Sequence, residues 1–71
     1  MTMEKMHRYA NSGQVESVYV MLERPCSYKR IRNVLGLTDT QCDSALRALR
    51  AQGKVVRYGG NGREMYRRYR R

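Results

Sequence analysis

The stretch from Leu35 to Gln52, LGLTDTQCDSALRALRAQ, constrains the fold of this chain more than any other. Leu35-Gly36-Leu37 is a turn that ends one helix and leads into the next. Thr38 stands three residues before Gln41, the spacing at which two side chains satisfy each other's orphan backbone donors at a helix N-terminus. Cys42, Ala45, Leu46 and Leu49 then recur at i, i+3, i+4 and i+7, which is one apolar face of a helix. Gly53 follows, where a left-handed residue closes a helix. The opposite face carries Asp39, Thr40, Asp43, Ser44, Arg47 and Arg50, small polar groups first and then two arginines. Such a helix is held by a core on one side and presents its other side outward.

The segments around it take their reading from this helix. Residues 1–11 hold three Met, mixed charge and no capping signal, and are expected to be a flexible tail or a short helix. Ser12 is a good N-cap, and Val15, Val18, Tyr19 and Leu22 repeat the i, i+3, i+4, i+7 pattern, with Val20 and Met21 widening the apolar stripe. This helix should stop at Glu23 or Arg24, because Pro25 disfavours helical geometry in the residue before it. Ser27 caps a shorter helix with Ile31, Val34 and Leu35 inward, Lys29, Arg30, Arg32 and Asn33 outward, and Gly36 at its end.

Beyond Gly53 the periodicity changes. Lys54-Val55-Val56-Arg57-Tyr58 is β-branched and aromatic, Gly59-Gly60-Asn61-Gly62 is a run of turn formers, and Arg63 to Tyr69 brings in Met65, Tyr66 and Tyr69. That is a β-hairpin, and it needs Val55, Val56 and one of Met65 or Tyr66 packed on the helices to be stable. The expected fold is α+β: a three-helix winged helix-turn-helix over residues 12–71 whose C-terminal two-stranded hairpin is the wing, with the Thr38-capped helix as recognition helix.

Composition narrows the function. The chain has 71 residues, enough for one domain, and a net charge of +9 that points to polyanionic partners. The charge is uneven: up to Glu23, Lys5 and Arg8 face Glu4, Glu16 and Glu23, whereas all thirteen remaining Lys and Arg lie beyond, against only Asp39, Asp43 and Glu64. Cys26, in an expected loop beside Pro25, and Cys42, on an apolar helix face, are the only cysteines. Their spacing from His7 does not match a zinc site, so neither metal nor cofactor is expected. An apolar run that could serve as a signal peptide or membrane span is absent, and reduced thiols in a cytoplasmic, nucleoid-associated setting are expected. Catalysis is not expected either. His, Cys and the carboxylates fall at no workable spacing, and GGNG precedes a strand, which makes it turn chemistry rather than a phosphate loop.

The run LGLTDTQCDSALRALRAQGKVVRYGGNGREMYRRY resembles the helix-turn-helix and wing of winged-helix repressors of the ArsR and MarR types. Those families share leucine-glycine-leucine, a Ser/Thr cap, a helix with spaced Leu, then Gly, a hydrophobic strand and a glycine-rich wing. The resemblance implies that Thr38, Thr40, Asp43, Ser44 and Arg47 approach the major groove. It implies that Lys29, Arg30 and the wing residues Arg57, Asn61 and Arg63 meet phosphates or the minor groove, with Arg50 adding charge to the same helix. The cysteine metal motif of such repressors is absent, so metal sensing does not carry over. Asp43 stands where relatives place Ser, Thr or Asn; a carboxylate there accepts from cytosine N4 but repels phosphates.

The partner expected is double-stranded DNA, bound by a monomer or weak dimer acting as a transcriptional regulator or accessory factor. Two alternatives stay open. One is a winged helix used for protein interaction, with Asp39 and Asp43 in the contact surface. The other is an RNA or single-strand binder using the terminal REMYRRYRR, whose strand would set Arg67 and Tyr69 on one side and Tyr66, Arg68 and Arg70 on the other.

Overall fold

Helix capping divides the chain as the spacing of its polar residues requires. The computed structural model describes residues 9–69; the rest of the expected tail, residues 1–8, and the last two arginines lie outside that range. Helix α1 spans Ser12–Met21, α2 spans Tyr28–Leu35 and α3 spans Asp39–Ala51. Strands β1 (Cys26–Ser27), β2 (Val55–Tyr58) and β3 (Met65–Arg68) complete the α+β fold.

The cap of α1 is Asn11, not Ser12: its side chain accepts from the Gln14 N–H at 2.8 Å, and Gln14 accepts from the Asn11 N–H at 3.0 Å. Both residues are good caps. Only Asn11 has a glutamine three residues on to close the reciprocal pair. The helix also ends earlier than expected, with Leu22 as its C-cap. Thr38 and Gln41 form the expected box at the start of α3. At its end Gly53, at φ 73°, lets its own N–H reach the Arg50 carbonyl and the Lys54 N–H reach the Leu49 carbonyl, each at 3.0 Å. That pair of bonds is a Schellman motif, which satisfies the last carbonyls of the helix.

One core joins the elements: Val18 from α1 and Leu22 at its C-cap, Ile31 from α2, Cys42, Ala45, Leu46 and Leu49 from α3, and Cys26, Leu37, Val55 and Tyr66. Tyr66 is therefore a core residue. The apolar stripe of the central helix is buried throughout, whereas the stripes of the two shorter helices are narrower than expected. Val20 is 56% exposed and Val34 is 60% exposed. Each sits beside a residue that turns inward instead, Tyr19 and Leu35, which pack against the core.

The sheet has three strands, not two, in the order β1-β3-β2, all antiparallel. Cys26, expected in a loop, is buried and pairs with Tyr66, while Ser27 pairs with Met65. A two-residue strand shows no alternation to read. It forms because an N-cap residue is already extended, and Ser27, at φ −78° and ψ 159°, serves as N-cap and strand at once. Its consequence is positional, since the first turn of α2 is laid against the hairpin. The Cys26 thiol donates to the Arg24 carbonyl at 3.4 Å, and both cysteines are free and buried.

The hairpin turns at Asn61-Gly62, both at positive φ, with the Arg63 N–H bonded to the Gly60 carbonyl at 3.0 Å. Positive φ at both central positions matches the right-handed twist of the flanking strands. Gly59, at φ 86°, approaches the other arm so closely that a Cβ there would stand 2.5 Å from the Arg63 carbonyl oxygen. Among the described residues no helix is long and apolar enough to cross a membrane.

Candidate nucleic-acid interface

The first turn of α2 carries charge of the wrong sign for its own stability. Ser27 caps it by accepting from the Arg30 N–H at 3.1 Å, and Lys29 and Arg30 follow, exposed, with no acidic residue in the turn. A helix N-terminus favours anions, so two cations there cost some tenths of a kcal/mol each, about 0.3–1 at low salt. Placed at the N-terminal end of a helix, they form a surface complementary to an anion.

Pairing of β1 with β3 brings this turn to the hairpin. An open groove is lined on one wall by Ser27, Tyr28 and Lys29 and on the other by Gly62, Arg63, Glu64 and Met65. Lys29 and Arg63 thus share a groove although they are distant in sequence. Glu64 lines it too and offsets part of that positive charge.

Tyr28 connects the groove to α3. Its hydroxyl donates to the Asp39 carbonyl at 3.0 Å and stands 3.4 Å from the Asp39 carboxylate. Burial, followed by the negative fields of Cys42, Asp39 and Asp43, pushes the phenol up to about 12, so it remains a neutral donor. Arg32 pairs with the same carboxylate at 2.9 Å. Asp39, expected to be free for a partner, instead pins the start of α3 onto α2 and holds the angle between the two helices.

The outward face of α3 is not bare. Thr40, Asp43, Ser44 and Arg47 line a shallow cleft together with Tyr9, a residue of the expected tail. Ser44 is half-buried, and its hydroxyl accepts from the Ala10 N–H at 3.3 Å. It was expected on the open face; the chain entering α1 covers it. The signal for this was Ala10 before the Asn11 cap and Val15 four residues after it, the spacing of a hydrophobic staple, and both pack on the core. Arg47 and Asp43 are both exposed and form an i, i+4 ion pair at 3.0 Å, worth only about 0.3–0.5 kcal/mol.

The other expected residues are placed as follows. Thr38 is exposed, and its hydroxyl accepts from the Gln41 N–H at 3.1 Å. Arg50 in the last turn of α3, Arg57 in β2 and Asn61 at the hairpin tip are exposed, and they line neither cleft. Arg68, expected with the basic and aromatic strand, is engaged internally. Its Nε donates to the Tyr19 carbonyl at 2.9 Å and its guanidinium lies 4.2 Å from the Tyr19 ring centre. Beneath α3, burial foremost and then Asp43 push the Cys42 thiol up to about 11, against the opposing pull of Arg32. Such a thiol is unreactive at neutral pH. Among the described residues no group of three His, Cys, Asp or Glu could hold a metal ion. Comparison with known proteins finds no matching family model, no matching curated protein and no matching solved structure.

Proposed function

We propose that this chain is a small winged-helix protein that binds double-stranded DNA, as a transcriptional regulator or an accessory DNA-binding factor. In this reading α3 enters the major groove, the β2–β3 hairpin is the wing, and the first turn of α2 holds the backbone. The observation that carries the reading is the groove shared by Lys29 and Arg63. It adjoins, through Tyr28 and Asp39, the start of a helix whose outward residues include Thr40, Asp43 and Arg47. Phosphate contacts provide most of the affinity, and Arg47 is the base-reading side chain, since a guanidinium engages guanine O6 and N7 together.

The test is retention on duplex DNA in rising salt. Neutralising about five phosphates gives a log–log slope of roughly −4 to −5, and a flat response overturns the proposal. Arg47→Ala should weaken binding by about 1–3 kcal/mol and relax preference at one position.

One observation favours a second reading, docking of a protein on the same helix. Tyr9 lies in the cleft on α3, and the guanidinium of Arg47 is held by Asp43. Asp43→Asn separates the two. In a DNA reader it strengthens non-specific duplex binding by removing a charge that repels phosphates. In a protein-docking module it leaves duplex binding unchanged and weakens capture of the protein partner.

A further inference from the structure

Strand register divides the side chains of the sheet between two faces. Cys26, Val55 and Tyr66 lie on the inner face, buried in the core. Alternation and cross-strand pairing put Ser27, Val56, Tyr58, Met65 and Arg67 on the outer face. The ladder runs one pair further, through the Tyr69 N–H to the Lys54 carbonyl at 2.8 Å, which adds Tyr69 to that face. Val56 and Met65 are half-buried there, while Tyr58 is 41% and Tyr69 is 54% exposed.

This outer face has the composition of a stacking surface. Tyr58 and Tyr69 lie four residues apart in register, about 14 Å along the strands. Arg67 stands between them, its guanidinium 5.8 Å from the Tyr58 ring centre. Arg68, one residue on, is turned inward onto Tyr19 and holds the fold together. Arg67 makes one long bond, to the Arg68 carbonyl at 3.3 Å, and is otherwise spread over the exposed surface. The face is also continuous with the cationic groove, because Ser27 and Met65 belong to both. Rings are thus offered across the sheet, and Lys29 and Arg63 wait at its edge.

We propose that the outer face of the sheet binds single-stranded nucleic acid, stacking unpaired bases on Tyr58 and Tyr69 while its phosphates meet Arg67, Lys29 and Arg63. The occupant follows from charge and shape. The chain carries +9 overall, and on this face the Arg67 guanidinium stands over the exposed Tyr58 ring, the combination that accepts any base by its π-face and any backbone by its charge. This site is distinct from the outward face of α3 and does not depend on duplex reading.

The probe is a labelled oligothymidylate of roughly twelve nucleotides, within the span such sites cover, titrated at low salt by fluorescence anisotropy. The parent binds it, and Tyr58→Leu and Tyr69→Leu each lower affinity by roughly 5- to 140-fold, the loss of one stacked base. Tyr58→Phe keeps the ring and binds like the parent. Both positions are exposed, and thermal melting verifies that the variants fold. A second readout needs no variant: the chain has six Tyr and no Trp, so stacking quenches its intrinsic tyrosine emission. Failure of the parent to bind overturns the proposal, as does binding in which the Leu variants match the parent, which is contact by charge alone. Arg47→Ala should leave single-strand binding intact, so duplex binding without single-strand binding refutes this inference alone. Capture of a protein on Tyr58 and Tyr69 in place of the oligonucleotide refutes it as well.

Discussion

Replacing Arg68 with alanine should destabilise the protein by about 2 kcal/mol, although the residue looks like one of a run of surface cations. Its Nε–H donates to the Tyr19 carbonyl at 2.9 Å, a well-formed bond to the last turn of α1, and a weaker one reaches the Val20 carbonyl at 3.4 Å. The guanidinium also stacks 4.2 Å from the Tyr19 ring centre. A bond of the first kind contributes about 1–1.5 kcal/mol net and a partly desolvated cation–π contact about 0.5–1. A cation at a helix C-terminus contributes about 0.3–1, and α1 has no basic residue of its own in its last turn. These contributions share one group and overlap, so their sum of about 2–3.5 is an upper bound. With a urea m-value near 1 kcal/mol/M for so small a domain, the midpoint should fall by about 2 M. Arg68→Lys keeps the charge without the fork and should recover at most half. Arg67→Ala is the control: its neighbour Tyr58 is exposed and their separation is 5.8 Å, so its stability should match the parent within about 0.5 kcal/mol. If Arg68→Ala and Arg67→Ala melt alike, Arg68 does not tie β3 to α1 and the reasoning fails.

Leu46→Ala should cost about 2–5 kcal/mol, because Leu46 is fully buried at the centre of the core, and a mutant melting like the parent would reverse the assigned faces of α3. Gly59→Ala should cost about 1–3 kcal/mol by forcing a Cβ toward the Arg63 carbonyl oxygen at positive φ, whereas Gly60→Ala, which meets nothing, should be nearly neutral by the same urea titration. Stability should decline in alkali. The folded state holds the Cys42 proton more tightly than the unfolded chain, so its contribution is complete below pH 9.0 and is lost as pH rises toward about 11, with Tyr28 following from 10.0 to about 12. Urea midpoints measured across that window should fall, and Cys42→Ala, though less stable at neutral pH, should show a shallower decline.

What was legible in the sequence was what is encoded within about one helical turn. The Thr38–Gln41 box, the stripe of Cys42, Ala45, Leu46 and Leu49, and the Gly53 stop are all local, and each forms as its spacing requires. The errors came where two local signals competed or where a tertiary partner decided. Asn11 and Ser12 are equivalent caps until Gln14 is weighed. Val20 and Val34 fit an apolar spacing, but short helices in a small domain bury one narrow stripe, and their neighbours occupy it. Strand β1 carries no alternation at all and exists only because β3 has a free edge beside it.

The candidate site divides along the same line. Its charges were visible as a list, but a list cannot separate cations that hold the fold from cations left for a partner. Arg32 and Arg68 belong to the first kind, one spent on Asp39 and the other on the end of α1. Lys29 and Arg30 are exposed and form no ion pair among the described residues, and the sequence did contain the clue. They follow a serine cap directly, so they sit at the positive end of a helix dipole, where a cation works against the helix. Such a placement costs some tenths of a kcal/mol per cation, and a nearby anion relieves it. The hairpin relieves it only in part, because Glu64 is a single carboxylate and Arg63 adds like charge. The phosphate backbone proposed for this groove would supply an anion where those cations and the helix N-terminus favour one.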